Sequence, residues 1–221
     1  MKENGNLTMN KLNHVKKIGI INYGMGNIGS VQNALTFLNS ESGIIDSPDD
    51  FKKFNAFIMP GVGAFPAAMK NLKKLNLIEE LEKYVFNHQI PFLGICLGLQ
   101  LLAEKSSEVS DSEGLGWING AVIKFPNNDT HKIPHVGWNK VNFHNNHFFS
   151  KNIGSSGHFY FDHSYFLDSQ DSSCFASCNY GKSFTVAIQK KNIFAVQFHP
   201  EKSQRNGLKI LRNFLNYIET V

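Results

Sequence analysis

The segment at positions 90–102 reads Ile-Pro-Phe-Leu-Gly-Ile-Cys-Leu-Gly-Leu-Gln-Leu-Leu, and it limits the possible folds more than any other stretch. Phe92-Leu93-Gly94-Ile95 is a short apolar run of the kind a strand buried on both faces needs. From Leu97 the residues read as an apolar helix, ending near Glu104. Between the two lies Cys96, with Gly94 and Gly98 each two positions away. This is the nucleophile-elbow pattern Gly-x-nucleophile-x-Gly, with a thiol in place of the hydroxyl. A nucleophile on a sharp strand-to-helix turn carries strained backbone angles, so its neighbours must be small. The turn points the sulfur out of the sheet top, and a helix N-terminus beside it favours the thiolate. The competing reading makes Cys96 a buried small hydrophobe, the usual fate of a free cysteine.

The flanking chain predicts a parallel sheet. Residues 17–22 read as a first buried strand, followed by Tyr23-Gly24-Met25-Gly26-Asn27-Ile28-Gly29 and a helical run over 30–38. Strand, Gly-x-Gly-x-x-Gly and helix form the setting of a dinucleotide-binding turn, and Asp46 ends the next strand, 43–46, roughly where a ribose-binding acid belongs. The alternative is a tight turn whose glycines let backbone approach closely. A third strand, 54–59, leads into Pro60-Gly61-Val62-Gly63, a loop able to turn backbone N–H groups outward as an anion-binding nest. An amphipathic helix covers 66–70 and 75–87, and the elbow follows. Strand–helix repeated in this way implies a parallel sheet wrapped by helices. Ligands of such sheets bind off the C-terminal strand edge, where the loops after Asn22, Met59 and Ile95 would meet.

The second half changes character. Residues 106–149 are loop-rich, with turn signals at 112–114, 119–120 and 126–129 and short β-type runs at 121–125 and 140–143. Positions 131–139 show no period; Trp138 among His and Asn marks either an interface or a folded-back core loop. Residues 157–166 alternate like a strand, 174–180 and 184–189 form a hairpin around Gly181-Lys182, and 193–198 is a last apolar strand. An amphipathic helix over 206–218 closes the chain. The expected class is α/β: an open, mostly parallel sheet with helices on both faces, plus a smaller antiparallel β section.

At 221 residues the length suits one domain, expected over 17–221, after a loose polar extension at 1–16 in which Met9 offers an alternative start. Hydrophobic content of 42% against 18% charged residues fits a packed globule and argues against disorder. The net charge of +4 is scattered, with no basic run longer than a pair, so nucleic acid has no footprint. No secretory h-region and no run near the roughly 20 apolar residues of a membrane span is found. Three cysteines, an odd number, make no disulfide framework, and reduced thiols fit the cytoplasm. Cys174 and Cys178 lack a second ligand pair, so neither a metal nor a cofactor is expected.

A thiol nucleophile needs a base, and the base needs an orienting group. His199 and Glu201 supply both at the end of the last strand, stiffened by Pro200. One residue apart in extended chain, they point the same way. Glu201 can accept from one imidazole nitrogen while the other faces Cys96.

These residues resemble a family. The segments 94–100, 60–63 and 197–203 (Gln-Phe-His-Pro-Glu-Lys-Ser) are similar to class I glutamine amidotransferases. The segments 22–27, 134–139 (Pro-His-Val-Gly-Trp-Asn) and 161–165 (Phe-Asp-His-Ser-Tyr) resemble one branch, the glutaminase subunits of imidazole glycerol phosphate synthase. The likeness spans residue 17 to about 214 and implies that Gly24-Met25-Gly26 is no dinucleotide site. It implies that Cys96, His199 and Glu201 hydrolyse glutamine to glutamate and ammonia. Backbone N–H groups of Leu97 and of Gly61, Val62 and Gly63 would hold the oxyanion. Gln100, His163, Ser164 and Tyr165 would bind glutamine. Ammonia must then be delivered, and no acceptor domain fits this length. The implied partner is a (β/α)₈-barrel cyclase of histidine biosynthesis, forming a heterodimer through Trp138, Tyr160 and Lys202. The loop at Val62 would turn its N–H inward only with the partner's ligand bound. Two departures, Asp162 at a position usually apolar in the branch and the N-terminal extension, keep as an alternative a paralogue serving a surface-sugar amidotransferase. A stand-alone γ-glutamyl hydrolase and a non-catalytic regulatory module are the remaining alternatives.

Overall fold

The computed structural model describes residues 16–126, 132–144, 147–169 and 171–221. Residues 1–15 of the expected N-terminal extension, His131 and residues 127–129 of the expected turn fall outside the described residues. The first half runs β1 (Ile18–Ile21), α1 (Ile28–Phe37), β2 (Ser42–Ile45), β3 (Ala56–Gly61), α2 (Phe65–Lys74), α3 (Leu77–Glu82), β4 (Phe92–Cys96) and α4 (Leu97–Gln100). The second half holds β5 (Ala103–Ser106), β6 (Ser112–Glu113), β7 (Ile118–Lys124), β8 (His135–Phe143), β9 (Ser156–His163), β10 (Tyr165–Asp168), β11 (Cys174–Tyr180), β12 (Lys182–Lys190), β13 (Ile193–Val196) and α5 (Gln204–Ile218).

The main sheet has nine strands in the order β2-β1-β3-β4-β13-β12-β11-β8-β9. From β2 to β13 every pairing is parallel, and from β13 to β9 every pairing is antiparallel. The expected antiparallel section is thus continuous with the parallel one. Strand periodicity divides the core. Ile18, Ile20, Ile58, Leu93, Ile95 and Val196 point to one face, where α1 and α5 bury Leu35, Leu211 and Phe214. Ile21, Phe57, Met59 and Phe92 point to the other, against Phe65 and Leu72 of α2 and Leu81 of α3. Helices on both faces explain why these strands read as unbroken apolar runs. Each such fully buried side chain contributes roughly 1.5–3 kcal/mol.

The fourth helix departs from expectation. It spans only Leu97–Gln100, and the chain then enters β5. The apolar run continues, but Leu101 and Leu102 give their carbonyls to the N–H groups of Leu115 and Ile118, each at 2.9 Å. The following residues pair with β6 and β7 in a second sheet, ordered β10-β7-β5-β6. Tertiary pairing therefore overrides a local pattern that was only weakly helical. The aperiodic segment before residue 140 is likewise the start of a nine-residue strand, β8, pairing with β9 so that Trp138 faces Tyr160.

Candidate active site

Three parallel strand ends carry the candidate groups. β4 lies between β3 and β13, with Gly61 opposite Cys96 and Val196 opposite Ile95. Cys96 holds φ +54° and ψ −107°, a conformation L residues rarely adopt and that persists only when the surroundings enforce it. The enforcement is visible at the flanking glycines. A Cβ on Gly98 would lie 1.9 Å from the Met59 carbonyl oxygen, and one on Gly94 would lie 2.7 Å from that of Gly98. Both positions therefore exclude any side chain. Because α4 is a single turn, its nearest N–H groups matter at Cys96, rather than an extended macrodipole.

His199 and Glu201 follow β13 on a short 3₁₀ turn. The His199 Nδ1–H donates to Glu201 Oε1 at 2.8 Å, and both side chains are almost wholly buried. Ser203 fastens this turn to β9: its Oγ donates to the His199 carbonyl at 2.6 Å and accepts the Tyr160 N–H at 2.9 Å. Burial alone would lower the His199 pKa. The adjoining Cys96 sulfur and the Glu201 carboxylate outweigh burial and raise it to about 10. Nε2 of His199 has no hydrogen bond of ordinary geometry, and the Cys96 sulfur is the largest of the influences that raise the ring's pKa. The other two cysteines contrast with this one. Burial raises the Cys174 thiol and pushes Cys178 up to about 12, so neither is activated.

The Pro60–Gly63 loop borders the sulfur, but its Val62 N–H is engaged elsewhere: it donates to the Met25 carbonyl at 2.7 Å. Gly63 has φ +101° and sits so close to Met25 that a Cβ would meet its Cε at 2.8 Å. The turn Gly24-Met25-Gly26 is thus the outer wall of this loop. Asp46, the candidate ribose acid, instead accepts from Asn22 Nδ2 at 2.7 Å. Tyr23 is buried behind Gly61, with its hydroxyl unpaired and its pKa raised by burial and by the Cys96 charge.

A cleft of about 370 Å³ opens above Cys96, lined by Val62, Gly63, Gln100, His163, Ser164 and Tyr165. Leu97 also lines it, and the Ser164 carbonyl accepts the Phe125 N–H at 3.1 Å. Gln100 is 5% exposed, buried rather than on a helix surface. Its Nε2 donates to the Tyr165 carbonyl at 2.8 Å and to Gln197 Oε1 at 3.1 Å. Gln197 Nε2 in turn donates to Cys96 Sγ at 3.6 Å. From the Tyr165 carbonyl a second chain runs outward. His163 Nδ1–H donates to that carbonyl at 2.7 Å, which leaves Nε2 to accept from His135 Nδ1–H at 3.0 Å. His135 Nε2 then accepts from Asn139 Nδ2 at 3.2 Å. Burial, aided by the neighbouring His135 and His199, pulls His163 down to about 3 despite its bond to Tyr165. It is therefore a neutral, tautomer-fixed link.

The candidate interface residues meet on the outer face of β8 and β9. Trp138 is 47% exposed and edge-on to Tyr160 at 6.3 Å, while Lys202 Nζ lies 5.6 Å from the Tyr160 ring centre. Val136, 54% exposed, is in register with Asp162 on the same face. The Tyr160 carbonyl accepts the His199 N–H at 2.9 Å, so this surface adjoins the candidate base directly.

Sequence reasoning left Met25, His135, Gln197 and Tyr23 without roles. Gln197 alone carried a usable signal, being one residue beyond β13 and hence beside Cys96 once the strands align. Among the described residues no cluster of three or more His, Cys, Asp or Glu could hold a metal, and no helix is long and apolar enough to cross a membrane.

The profile of the family described as glutamine amidotransferase class-I matches residues 20–218. The imidazole glycerol phosphate synthase subunit HisH 2 of Methanococcus maripaludis is 43% identical over 199 residues, covering 90% of this chain and 98% of that protein. The subunit HisH of Caldanaerobacter subterraneus is 44% identical, covering 89% and 96%. HisH 2 of Pseudomonas aeruginosa is 40% identical, covering 91% and 100%. Among solved structures, PurLQS from Thermotoga maritima superposes with a TM-score of 0.72 at 18% identity, covering 92% of this chain and 99% of that one. At that identity it speaks for the fold alone.

Proposed function

The chain belongs to the class-I glutamine amidotransferases, and on that premise we propose that it is the glutaminase subunit of an imidazole glycerol phosphate synthase, acting through Cys96, His199 and Glu201. The observation that carries the reading is a thiol on a strained turn beside a buried imidazole raised to about 10 and oriented by a carboxylate at 2.8 Å. An imidazolium next to a thiolate is the resting state such a nucleophile needs.

The thiolate attacks the side-chain amide carbon of glutamine. The resulting oxyanion is received by the Leu97 N–H and by the Gly61-Val62-Gly63 loop. His199 passes its proton to the departing nitrogen, ammonia leaves, and a γ-glutamyl thioester remains. Water, deprotonated by His199, attacks the thioester; glutamate departs and the sulfur is again a thiolate. Glu201 holds the imidazole tautomer throughout. Gln100 has both amide hydrogens committed to Tyr165 and Gln197, so it offers its carbonyl oxygen to the ammonium of glutamine. His163, Ser164 and Tyr165 shape the same pocket.

With the Val62 N–H held by Met25, the oxyanion site lacks a donor, and one missing donor typically costs roughly 10²–10³ in rate. The isolated subunit is therefore slow. A (β/α)₈-barrel cyclase docks on Trp138, Tyr160 and Lys202, and with its ligand bound turns the Val62 peptide inward and receives the ammonia. The amidotransferase domain is single over 17–221. Asp162, exposed beside this face, is where a different acceptor synthase would leave its mark.

The test is glutamate release by the full chain with and without the purified cyclase and its ligand, for wild type and Cys96→Ala. The reading expects activation by at least about 10²-fold and loss of at least about 10³-fold in the variant. Equal turnover with and without partner would instead point to a stand-alone γ-glutamyl hydrolase. Unchanged ammonia release by Cys96→Ala would remove the nucleophile.

A further inference from the structure

Gln197 is wholly buried, and the mechanism above leaves its side chain unused. Its two ends are nevertheless committed. Nε2 donates to Cys96 Sγ at 3.6 Å, and Oε1 accepts from Gln100 Nε2 at 3.1 Å. The orientation is determined by the neighbours. Gln100 presents an N–H, so only an oxygen can face it, and the amide nitrogen must then face the sulfur. Gln100 is itself held by the Tyr165 carbonyl at 2.8 Å, which stops the pair from rotating together. The backbone is pinned as well, by Gln197 N–H to the Val186 carbonyl at 2.9 Å. A buried carboxamide costs desolvation unless paired, and here one of its partners is the reacting atom.

We propose that Gln197 is a catalytic residue of the glutaminase reaction, its carboxamide N–H holding the Cys96 sulfur as an oriented thiolate. The inference rests on the reading of Cys96 as the nucleophile. A single neutral donor favours the anion but leaves it nucleophilic, and His199 supplies the balancing charge. The same donor stabilises the sulfur when it departs from the thioester, since the C–S electron pair returns to it at that step. Gln100 connects this donor to the pocket, so substrate engagement and thiolate orientation share one buried pair.

The test uses two variants of nearly equal volume in the full chain, Gln197→Met and Gln197→Glu, with Cys96→Ala as a reference. Alkylation of Cys96 by iodoacetamide at pH 7, followed by peptide mass spectrometry, reads thiolate reactivity. Glutaminase kinetics in the complex with the cyclase read kcat and KM. For Gln197→Met we expect alkylation and kcat each lowered about tenfold, with KM for glutamine within about twofold. Gln197→Glu keeps the acceptor for Gln100 but turns a carboxylate oxygen toward the sulfur, and should be slower still. Alkylation and kcat within about twofold of wild type, or a rise in KM alone, would overturn the proposal. Should Gln197→Met fail to fold, Gln197→Glu is read in its place. In the wild-type protein, the side-chain amide proton resonances of Gln197 must shift when Cys96 is alkylated; no shift contradicts the inference. Activity retained by Cys96→Ala would sink the nucleophile reading itself, whereas a dead Cys96→Ala beside a normal Gln197→Met sinks only the role of Gln197.

Discussion

At the scale of single residues, the candidate site works by placing each titratable group in an environment that sets its charge. His199 is raised to about 10 although it is buried, because the Cys96 sulfur and the Glu201 carboxylate adjoin it. Its ring-proton NMR titration should therefore have its midpoint above about pH 8. In Cys96→Ser, which removes the sulfur, the midpoint should fall by about one unit or more. An unmoved midpoint would mean that the sulfur does not charge the imidazole. His163 shows the opposite case, its pKa lowered to about 3. It stays neutral in the fold, while an unfolded chain takes up a proton below about pH 6.5. Stability is therefore full above pH 6.5 and falls as pH drops toward 3, at about 1.4 kcal/mol per pH unit for that proton. Urea denaturation at pH 7 and pH 5 should show this loss in wild type, and His163→Gln should lose about 2 kcal/mol less over the same interval. Identical acid sensitivity in the two proteins would assign it elsewhere.

At the scale of elements, the elbow was legible because its chemistry is local. A strand, a one-residue reversal at Cys96 and a helix start need Gly94 and Gly98, and the reason is backbone contact at 2.7 Å and 1.9 Å from where their side chains would begin. Gly98→Ala should therefore cost about 3 kcal/mol, read as a lowered urea midpoint with reduced Cys96 alkylation. A neutral result would show that β3 and α4 can separate. The strand-end loops at Gly61 and His199 were legible for the same reason, since strand order in a parallel sheet brings C-terminal ends together. What escaped reading depends on partners remote in sequence. α4 stops at Gln100 because Leu115 and Ile118 claim the next carbonyls. β8 shows no clean alternation, because its outer face carries Val136 and Trp138 exposed while His135 is buried in a hydrogen-bond chain. Nor could spacing reveal that Met25, in a turn resembling a dinucleotide loop, holds the Val62 N–H.

At the scale of the whole molecule, the exposed aromatic face and the sulfur are close neighbours: Cys96 Sγ lies 4.0 Å from the Asp162 carbonyl of β9. Asn139, beside Trp138, begins a buried chain through His135 and His163 to the Tyr165 carbonyl, where Gln100 and Gln197 continue it to Cys96. An exposed tryptophan paired with a tyrosine and flanked by a lysine has the make-up of an interface anchor. Trp138→Ala should weaken cyclase binding by about 2 kcal/mol or more, roughly 30-fold in Kd by titration calorimetry, without altering the fold. An unchanged Kd would move the docking face elsewhere. The central claim is that glutamine is opened at this one sulfur. Its most direct measurement is peptide mass spectrometry of the full chain after exposure, with cyclase and ligand, to a diazoketone analogue of glutamine. The account predicts a single adduct on Cys96, a keto thioether formed with loss of dinitrogen, and matching loss of glutaminase activity. An adduct on Cys174 or Cys178, or full activity with Cys96 modified, would contradict it.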